Sequence, residues 1–227
     1  MRSSNLSALL CLAATAQAVN ILAFPRRTCL RDNSLGICRD ILPSTCCVFP
    51  TFGLTAQAAY FSILHSCTIG LWYYEEPNTG EPLRCAINRD TAAGPQSDVC
   101  LTAGTFAPGG GAAWFDLSLC RSLAAEGNAT AAGDYLKAVE AFEPAKLAAE
   151  VGPCQGEQYA TLYGYTDDGG VYALDPTPEQ FVKLDAMGPT EDNKVHVERL
   201  KSVGATYYAD IARAPGMKEV LAARAAM

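Results

Sequence analysis

With 227 residues, the chain is long enough for one large or two small domains. Its apolar fraction of 49% and charged fraction of 18% are typical of a globular protein rather than a disordered one. The formal net charge is −7, from 24 acidic and 17 basic residues. An acidic chain without a basic cluster argues against nucleic acid and anionic lipid as partners.

The first eighteen residues have the features of a secretory signal peptide. Arg2 provides a positive charge, residues 6–14 form an apolar run too short to span a bilayer, and Ala16-Gln17-Ala18 matches the small-x-small pattern before a cleavage site. A buried N-terminal helix is the competing interpretation, but position, charge, run length and cleavage pattern all agree with a signal peptide. We therefore predict a signal peptide at residues 1–18 and a secreted, extracellular mature chain with a net charge of about −8.

A dibasic pair, Arg26-Arg27, follows the signal peptide. Secretory convertases cut after such pairs, and cleavage here would start the mature chain at Thr28. A basic surface turn explains the pair equally well, so the sequence leaves both interpretations open.

Nine cysteines remain after removal of the signal peptide with Cys11, and in a secreted chain they predict disulfides. They are Cys29, Cys38, Cys46, Cys47, Cys67, Cys85, Cys100, Cys120 and Cys154. Eight can pair. The ninth is free, lost with a processed segment, or bonded to a partner chain in a disulfide-linked dimer. Zinc is a poor alternative because the chain has no Cys-x-x-Cys and its two histidines are far apart in sequence, so we expect no metal and no cofactor.

The adjacent cysteines Cys46 and Cys47 allow one statement about connectivity. Neighbouring side chains on an extended strand point to opposite faces, so this pair should tie its strand to two different neighbours. No cysteine follows residue 154. This asymmetry predicts a disulfide-linked N-terminal part and a C-terminal part held by ordinary packing.

Residues 21–119 alternate short apolar segments with turn residues, the pattern of a small β-sandwich or barrel. Strands are predicted at residues 70–74, 83–87 and 113–117, and turns at 33–36, 76–80, 93–95 and 108–111. Residues 41–74 carry no Asp, Glu, Lys or Arg, but polar residues, Pro50 and Gly53 interrupt the run. Buried core segments explain it better than a stable membrane span.

From residue 118 to 151 the composition becomes helical, with Pro144 expected to break or kink the segment and Cys154 expected to staple it to the N-terminal part. A hairpin is predicted from residues 159–165 and 171–174. Three further helices follow, beginning at the capping box Thr177-Pro-Glu-Gln180, at residue 190 and after residue 216. The predicted fold class is therefore α+β. It has a disulfide-stabilised, mainly-β N-terminal unit at residues 19–120, then a helical connector and an α+β C-terminal region at 121–227.

No motif for a nucleophile, a phosphate loop or a catalytic zinc is present. His65, in the uncharged stretch, is expected to be neutral in the core, and His196 is expected on the surface of a polar helix. The best carboxylate candidates for a glycosidase are Glu75 and Glu76 with Asp116. The competing interpretation makes these acids a solvated edge.

Aromatic residues close to those acids suit a binding surface for a glycan or a protein: Trp72, Tyr73, Tyr74 and Trp114. The competing interpretation places them in the core. Asn128-Ala-Thr130 is an N-glycosylation sequon in a turn-like context, so we predict a glycan at Asn128.

Residues 28–117 contain one pattern of cysteines and aromatic segments: Cys29, Cys38, the Cys46-Cys47 pair, residues 70–74, Cys100 and residues 110–115. This set resembles small secreted cysteine-rich proteins of fungi, some relatives of which adopt a βγ-crystallin-like sandwich. The resemblance implies a fungal-type extracellular protein, such as an effector, a toxin or a wall-associated protein. It carries over no catalytic residue.

The function expected from these observations is that of a secreted, non-enzymatic, effector-like protein that binds an extracellular host or cell-wall component, either protein or glycan. One alternative is a secreted hydrolase of cell-wall glycans. The other is a membrane-active toxin that uses residues 49–74, which the acidic net charge argues against.

Overall fold

The structure is a computed structural model that describes most of the chain. The described residues are 18–24, 29, 34–49, 56–74, 85, 88–102, 109–188, 190, 192–218 and 221. Some predictions fall outside them: the signal peptide up to residue 17, Arg26-Arg27, Glu75-Glu76, the turn at 76–80, and most of the strand at 83–87 and of the last helix.

Among the described residues, seven strands from both ends of the chain form one antiparallel sheet. In spatial order they are β12 (Thr206–Tyr208), β11 (Val171–Leu174), β10 (Thr161–Tyr165), β2 (Ser34–Ile41), β1 (Val19–Phe24), β4 (Ala58–Leu64) and β7 (Gln96–Thr102). β1 therefore lies inside this sheet, with β2 on one side and β4 on the other.

The second sheet has five strands within the described ranges. They are β6 (Asn88–Ala93), β5 (Thr68–Tyr74), β8 (Gly109–Asp116), β3 (Thr45–Val48) and β9 (Gly156–Tyr159). All neighbours are antiparallel except β3 and β9, which run parallel. The predicted strands at residues 70–74 and 113–117 correspond to β5 and β8.

The core between the sheets follows from the two-residue alternation of strands. Ile21 and Phe61 of the first sheet share one apolar cluster with Trp72 and Trp114 of the second, so the sheets pack face to face. All four side chains are fully buried. Burial of such a side chain stabilises the fold by roughly 1.5–3 kcal/mol.

Helices cover the outer face of the five-stranded sheet. α1 (Ser118–Ala125), α2 (Ala129–Glu140) and α3 (Pro144–Val151) bury apolar residues against β5 and β8. Pro144 occupies the first turn of α3, where its missing N–H costs nothing, so it starts a new helix after the break that the sequence predicts.

The remaining elements pack at the other end of the chain. α4 (Pro178–Asp185) begins with the predicted capping box, in which the Thr177 and Gln180 side chains each accept the other's backbone N–H. α5 (Asn193–Ser202) packs on β10 and β11, and the 3₁₀ turn Ile211–Arg213 follows β12. Within the described ranges, no helix combines the length and the apolar character needed to cross a membrane.

Four disulfides cross-link the described residues: Cys29–Cys100, Cys38–Cys47, Cys46–Cys85 and Cys67–Cys120. The prediction that Cys46 and Cys47 tie β3 to two different neighbours is confirmed. Cys47 is bonded to Cys38 on β2 in the other sheet, and Cys46 is bonded to Cys85. The prediction that Cys154 staples the helical segment to the N-terminal part is wrong, because Cys154 is a free thiol.

The boundary predicted near residue 120 does not separate two sheets. β10 pairs with β2 in the first sheet, and β9 pairs with β3 in the second. The regions 19–120 and 121–227 therefore share both sheets, and backbone hydrogen bonds between strands join them.

Three local expectations are corrected by burial and sterics. His196 is 5% exposed on α5, whereas His65 is only half-buried, which reverses their predicted places. The glycines predicted as a loop at residues 108–111 belong instead to β8 from Gly109 onward. Gly111 is required there because an added Cβ would lie 2.7 Å from the Cys85 sulfur.

Candidate functional site

The structure places the two predicted surface tryptophans in the core. Trp72 and Trp114 are both 0% exposed, and the Trp114 indole N–H donates to the Ile41 carbonyl at 2.8 Å. Both residues sit at positions of β5 and β8 that face the opposite sheet. Burial removes these two side chains from the binding surface that the sequence predicts.

Tyr73 points to the other face of β5. Because successive strand residues alternate, it lies with Leu71 beneath the helical layer rather than between the sheets. It is 5% exposed and lines a cleft. Tyr74 ends the same strand opposite Gly109.

The predicted catalytic carboxylates are not brought together by the described residues. Asp116, the last residue of β8, forms an ion pair with Arg121 on α1, five positions further along the chain. It lies opposite Thr68, at the far end of β8 from Gly109, which pairs with Tyr74. Glu75 and Glu76 follow Tyr74 and lie outside the described residues.

A second pair of acids, which the sequence did not indicate, accepts hydrogen bonds from the backbone of the edge strand β6. Asp90 accepts the Thr91 N–H at 3.0 Å, and Glu140 at the end of α2 accepts the Ala93 N–H at 3.3 Å. Burial raises the Asp90 pKa, backbone hydrogen bonds from Thr91 and Thr102 lower it, and the Glu140 charge raises it. Their visible role is to satisfy the backbone of β6.

The cleft beside Tyr73 is formed where the helical layer ends and the chain re-enters the five-stranded sheet. α3 stops at Gly152, whose φ of 72° suits glycine, and Pro153 cannot continue the helix. The Gln155 N–H then donates to the Ser44 carbonyl at 2.7 Å. This hydrogen bond places the following residues beside β3, where they form the parallel strand β9.

The cleft has a volume of about 620 Å³, within the range of small-molecule sites. Its lining residues come from β5, from Cys85 after that strand, from the end of α3, and from the segment that leads into β9 and the start of β9: Leu71, Tyr73, Cys85, Ala148, Val151, Gly152, Pro153, Cys154, Gln155, Gly156 and Glu157. The walls are therefore mainly apolar, with a phenol, a thiol and a carboxylate among them. A smaller cleft of about 210 Å³ lies between Tyr165 and α5.

Three sulfur atoms meet in the wall of the larger cleft. The Sγ atoms of Cys46, Cys85 and Cys154 all lie within 4.8 Å of one another. Cys46 is buried, and the other two are half-buried and line the cleft. Among the described residues, these three cysteines are the His, Cys, Asp or Glu side chains that lie close enough together to hold a metal ion. A disulfide, however, joins two of the three sulfurs. In this oxidised form the three do not make a thiolate ligand set.

The Cys154 thiol is held in its protonated form. Burial raises its pKa to about 11, a hydrogen bond from the Tyr73 hydroxyl opposes that rise, and the negative charge of Glu157 adds to it. Burial, followed by the charge and hydrogen bond of Cys154, also raises the pKa of Tyr73. Tyr73 is therefore protonated at neutral pH and can donate its hydrogen bond to the Cys154 sulfur.

The sequon residue Asn128 is exposed, at the start of α2. Its side-chain oxygen accepts the Ala131 N–H at 3.1 Å as the helix cap. The glycan would attach through the amide nitrogen, so capping and glycosylation use different atoms.

Nine cysteines leave at least one that cannot pair within the chain, and the sequence does not show which one it is. Cys154 and Cys85 are 69 positions apart, and only the folded chain brings their sulfurs together. The one local signal was the Gly152-Pro153 pair, which correctly marks the end of α3 just before Cys154.

Comparison of the chain with protein families, with curated proteins and with solved structures found no match. The function of the chain is therefore inferred from the chemistry and geometry of its own residues.

Proposed function

We propose that the protein is secreted and acts as a non-enzymatic, effector-like binding protein that holds an extracellular host or cell-wall component in the cleft beside Tyr73. The observation that carries the proposal is the set of four disulfides spread over both sheets and the helical layer. Such cross-linking is typical of proteins made in the oxidising secretory pathway.

The disulfides support a role that requires a rigid, protease-resistant body. Cys38–Cys47 joins the two sheets, and Cys67–Cys120 joins α1 to the start of β5. Each restricts the unfolded chain and raises stability by about 2–4 kcal/mol. A scaffold of this kind keeps a surface cleft in one shape, which lowers the entropy lost on binding.

The cleft itself supports binding to a small or extended ligand. Its apolar part, from Leu71 and Val151, supplies contact area, and its polar groups, from Tyr73 and Glu157, supply orientation. The ligand class that fits this mixture is a glycan segment or a short stretch of a partner protein.

No specific observation on the described residues favours the glycan hydrolase or the membrane-active toxin. The Asp116 carboxylate is engaged by Arg121, and the strands that supply much of residues 49–74, β4 and β5, are mostly buried within the two sheets. Binding without turnover is the function that this arrangement favours.

The test is a binding screen with the secreted protein on immobilised plant and fungal wall glycans, followed by capture of extracellular host proteins. Ala148→Trp would fill the cleft from α3, and Ala149→Trp is the matched control, because it is exposed on the same helix but does not line the cleft. We expect retention without release of soluble sugar. We also expect Ala148→Trp to weaken binding at least about tenfold, with Ala149→Trp unchanged.

Release of soluble sugar would instead support the hydrolase. Equal binding by the two tryptophan variants would show that the cleft is not the binding site. Failure to bind any of these materials would contradict the proposal as a whole.

A further inference from the structure

The three sulfur atoms in the cleft wall can undergo thiol–disulfide exchange, a reaction that plays no part in the proposed ligand binding. A free thiol lies within 4.8 Å of both sulfurs of a disulfide, whereas a disulfide bond is about 2.05 Å long. A change in the Cys154 side-chain rotamer and a small adjustment of its segment would bring its sulfur into bonding contact. We infer that Cys154 and the Cys46–Cys85 bond form a thiol–disulfide exchange site that opens on this cleft.

The reaction is an internal exchange that needs no oxidant or reductant. The Cys154 thiolate attacks the Cys46 sulfur, a Cys46–Cys154 bond forms, and the Cys46–Cys85 bond breaks. The electron pair of the broken bond leaves on the Cys85 sulfur, which takes up the proton that Cys154 gave up. Among the cysteines that the structure describes, one is a free thiol before the step and one after it.

Burial selects Cys85 as the leaving sulfur. Cys46 is 1% exposed, whereas Cys85 is half-buried and lines the cleft, so water can reach a thiolate on Cys85 more easily. Thiolates are destabilised by burial, and a better-solvated leaving group departs faster.

The product bond would join neighbouring segments of the sheet. Cys46 lies on β3, and Cys154 lies just before β9, its parallel neighbour. The hydrogen bond from Gln155 to Ser44 already holds the two segments side by side. Exchange would therefore move the cross-link from Cys85 to the entry of β9, and would release Cys85 as a thiol in the cleft.

The groups that face Cys154 set the pH at which exchange runs. Tyr73 comes from β5 and Glu157 from β9, and the α3 residues that line the same wall, Ala148 and Val151, carry no charge. With a pKa of about 11, the thiol is almost fully protonated at neutral pH. The exchange rate should therefore rise about tenfold for each pH unit between 7 and 10.

The experiment locates the free thiol after incubation of the native protein at pH 7 and at pH 10. Thiols are trapped with N-ethylmaleimide in guanidinium at pH 5, the chain is digested with pepsin in acid, and fragmentation between Cys46 and Cys47 assigns the bridges. The label should be on Cys154 at pH 7. At pH 10 part of the label should appear on Cys85, where a thiolate is better solvated, together with a new Cys46–Cys154 bridge, while the other three disulfides stay intact.

Three variants sharpen the test. Cys154→Ser should keep the Cys46–Cys85 bridge at every pH. Tyr73→Phe removes the hydrogen bond that favours the thiolate, so exchange at pH 9 should slow several-fold. Glu157→Gln removes a negative charge and should speed exchange at the same pH.

A label that stays on Cys154 at pH 10 would overturn the inference. Scrambling of all four bridges would overturn it as well, because the exchange would then reflect unfolding. A Cys85–Cys154 bridge would overturn the choice of leaving sulfur. None of these outcomes depends on whether the cleft binds a ligand.

Discussion

The regions before and after residue 120 are stabilised in different ways although they share the same two sheets. All four disulfides join residues between 29 and 120, and the one cysteine beyond them, Cys154, is free. The later region is held by strand pairing to β2 and β3 and by buried side chains of α4 and α5. Covalent cross-links and ordinary packing therefore stabilise neighbouring strands of one fold, and the difference predicts how each region responds to change.

Removal of residues 19–27, which cleavage after Arg27 would cause, should have the largest effect. It deletes the interior strand β1, which pairs with β2 and β4, and with it Val19, Ile21 and Phe24, each at most 2% exposed. Each of these side chains contributes roughly 1.5–3 kcal/mol, so their loss, together with that of two neighbours, approaches the whole stability of a domain. A chain that starts at Thr28 should fail to fold, as judged by near-ultraviolet circular dichroism.

The control for that truncation is a mature chain that starts at Val19, with both chains expressed behind the same signal peptide, and this control should fold normally. If the chain that starts at Thr28 folds and unfolds cooperatively, β1 is dispensable. Cleavage after Arg27 would then again be compatible with a folded mature protein.

Two double variants compare the disulfides of the earlier region. Cys67→Ala with Cys120→Ala opens a loop of 53 residues, and Cys38→Ala with Cys47→Ala opens one of 9. All four sulfurs are buried, so the packing losses are similar and loop length decides the difference. Chain entropy predicts a loss of about 4 kcal/mol for the first and about 2.6 kcal/mol for the second.

Guanidinium unfolding of the oxidised variants measures these losses. If the short-loop variant is the less stable of the two, restriction of the unfolded chain is not the main contribution of these bridges.

His196 should make the later region sensitive to acid. Burial lowers its pKa to about 4, so the folded chain resists a proton that the unfolded chain accepts near pH 6.5. Its contribution to stability is complete above pH 6.5 and is lost as the pH falls from 6.5 to 4, by about 3 kcal/mol at most. His196→Gln should therefore lose less stability between pH 7 and 4 than the native chain.

His65→Gln is the matched control, since this other histidine is only half-buried. Chemical unfolding at a series of pH values makes the comparison. Equal slopes for the native chain and the His196 variant would contradict the assigned role.

A pair of glycine variants should give the smallest effects, with opposite signs. A Cβ on Gly111 would lie 2.7 Å from the Cys85 sulfur and 3.0 Å from the Cys47 carbonyl, so Gly111→Ala should destabilise the fold by about 1–3 kcal/mol. Gly133 lies inside α2 with nothing within 4 Å of an added Cβ, so Gly133→Ala should stabilise it by about 0.5–1 kcal/mol. Thermal unfolding distinguishes the two, and destabilisation of similar size by both would contradict this steric account.

Features that depend on local chemistry could be predicted from the sequence. The capping box at Thr177, the hairpin of β10 and β11, and the opposite directions of Cys46 and Cys47 depend only on neighbours a few positions away. Turn spacing also correctly indicated a β-rich first half within an α+β fold.

Features that depend on distant partners could not be predicted. The pairing of β10 with β2 joins residues more than 120 positions apart, and no local pattern names that partner. His196 looked polar among the charged residues of α5, yet it packs against Gly164 of β10, where the missing side chain makes room for it. The cleft and its three sulfurs form only after both sheets and α3 have assembled, so the candidate site was the least predictable part.

The most direct test of this account is the intact mass and disulfide map of the secreted protein, with free thiols alkylated before reduction. The account predicts a chain that starts at Val19, carries a glycan at Asn128, contains the four bridges described above, and has one alkylated thiol, at Cys154. A chain retained inside the cell with all its cysteines alkylated before reduction would contradict the central claim that this is a disulfide-stabilised secreted protein.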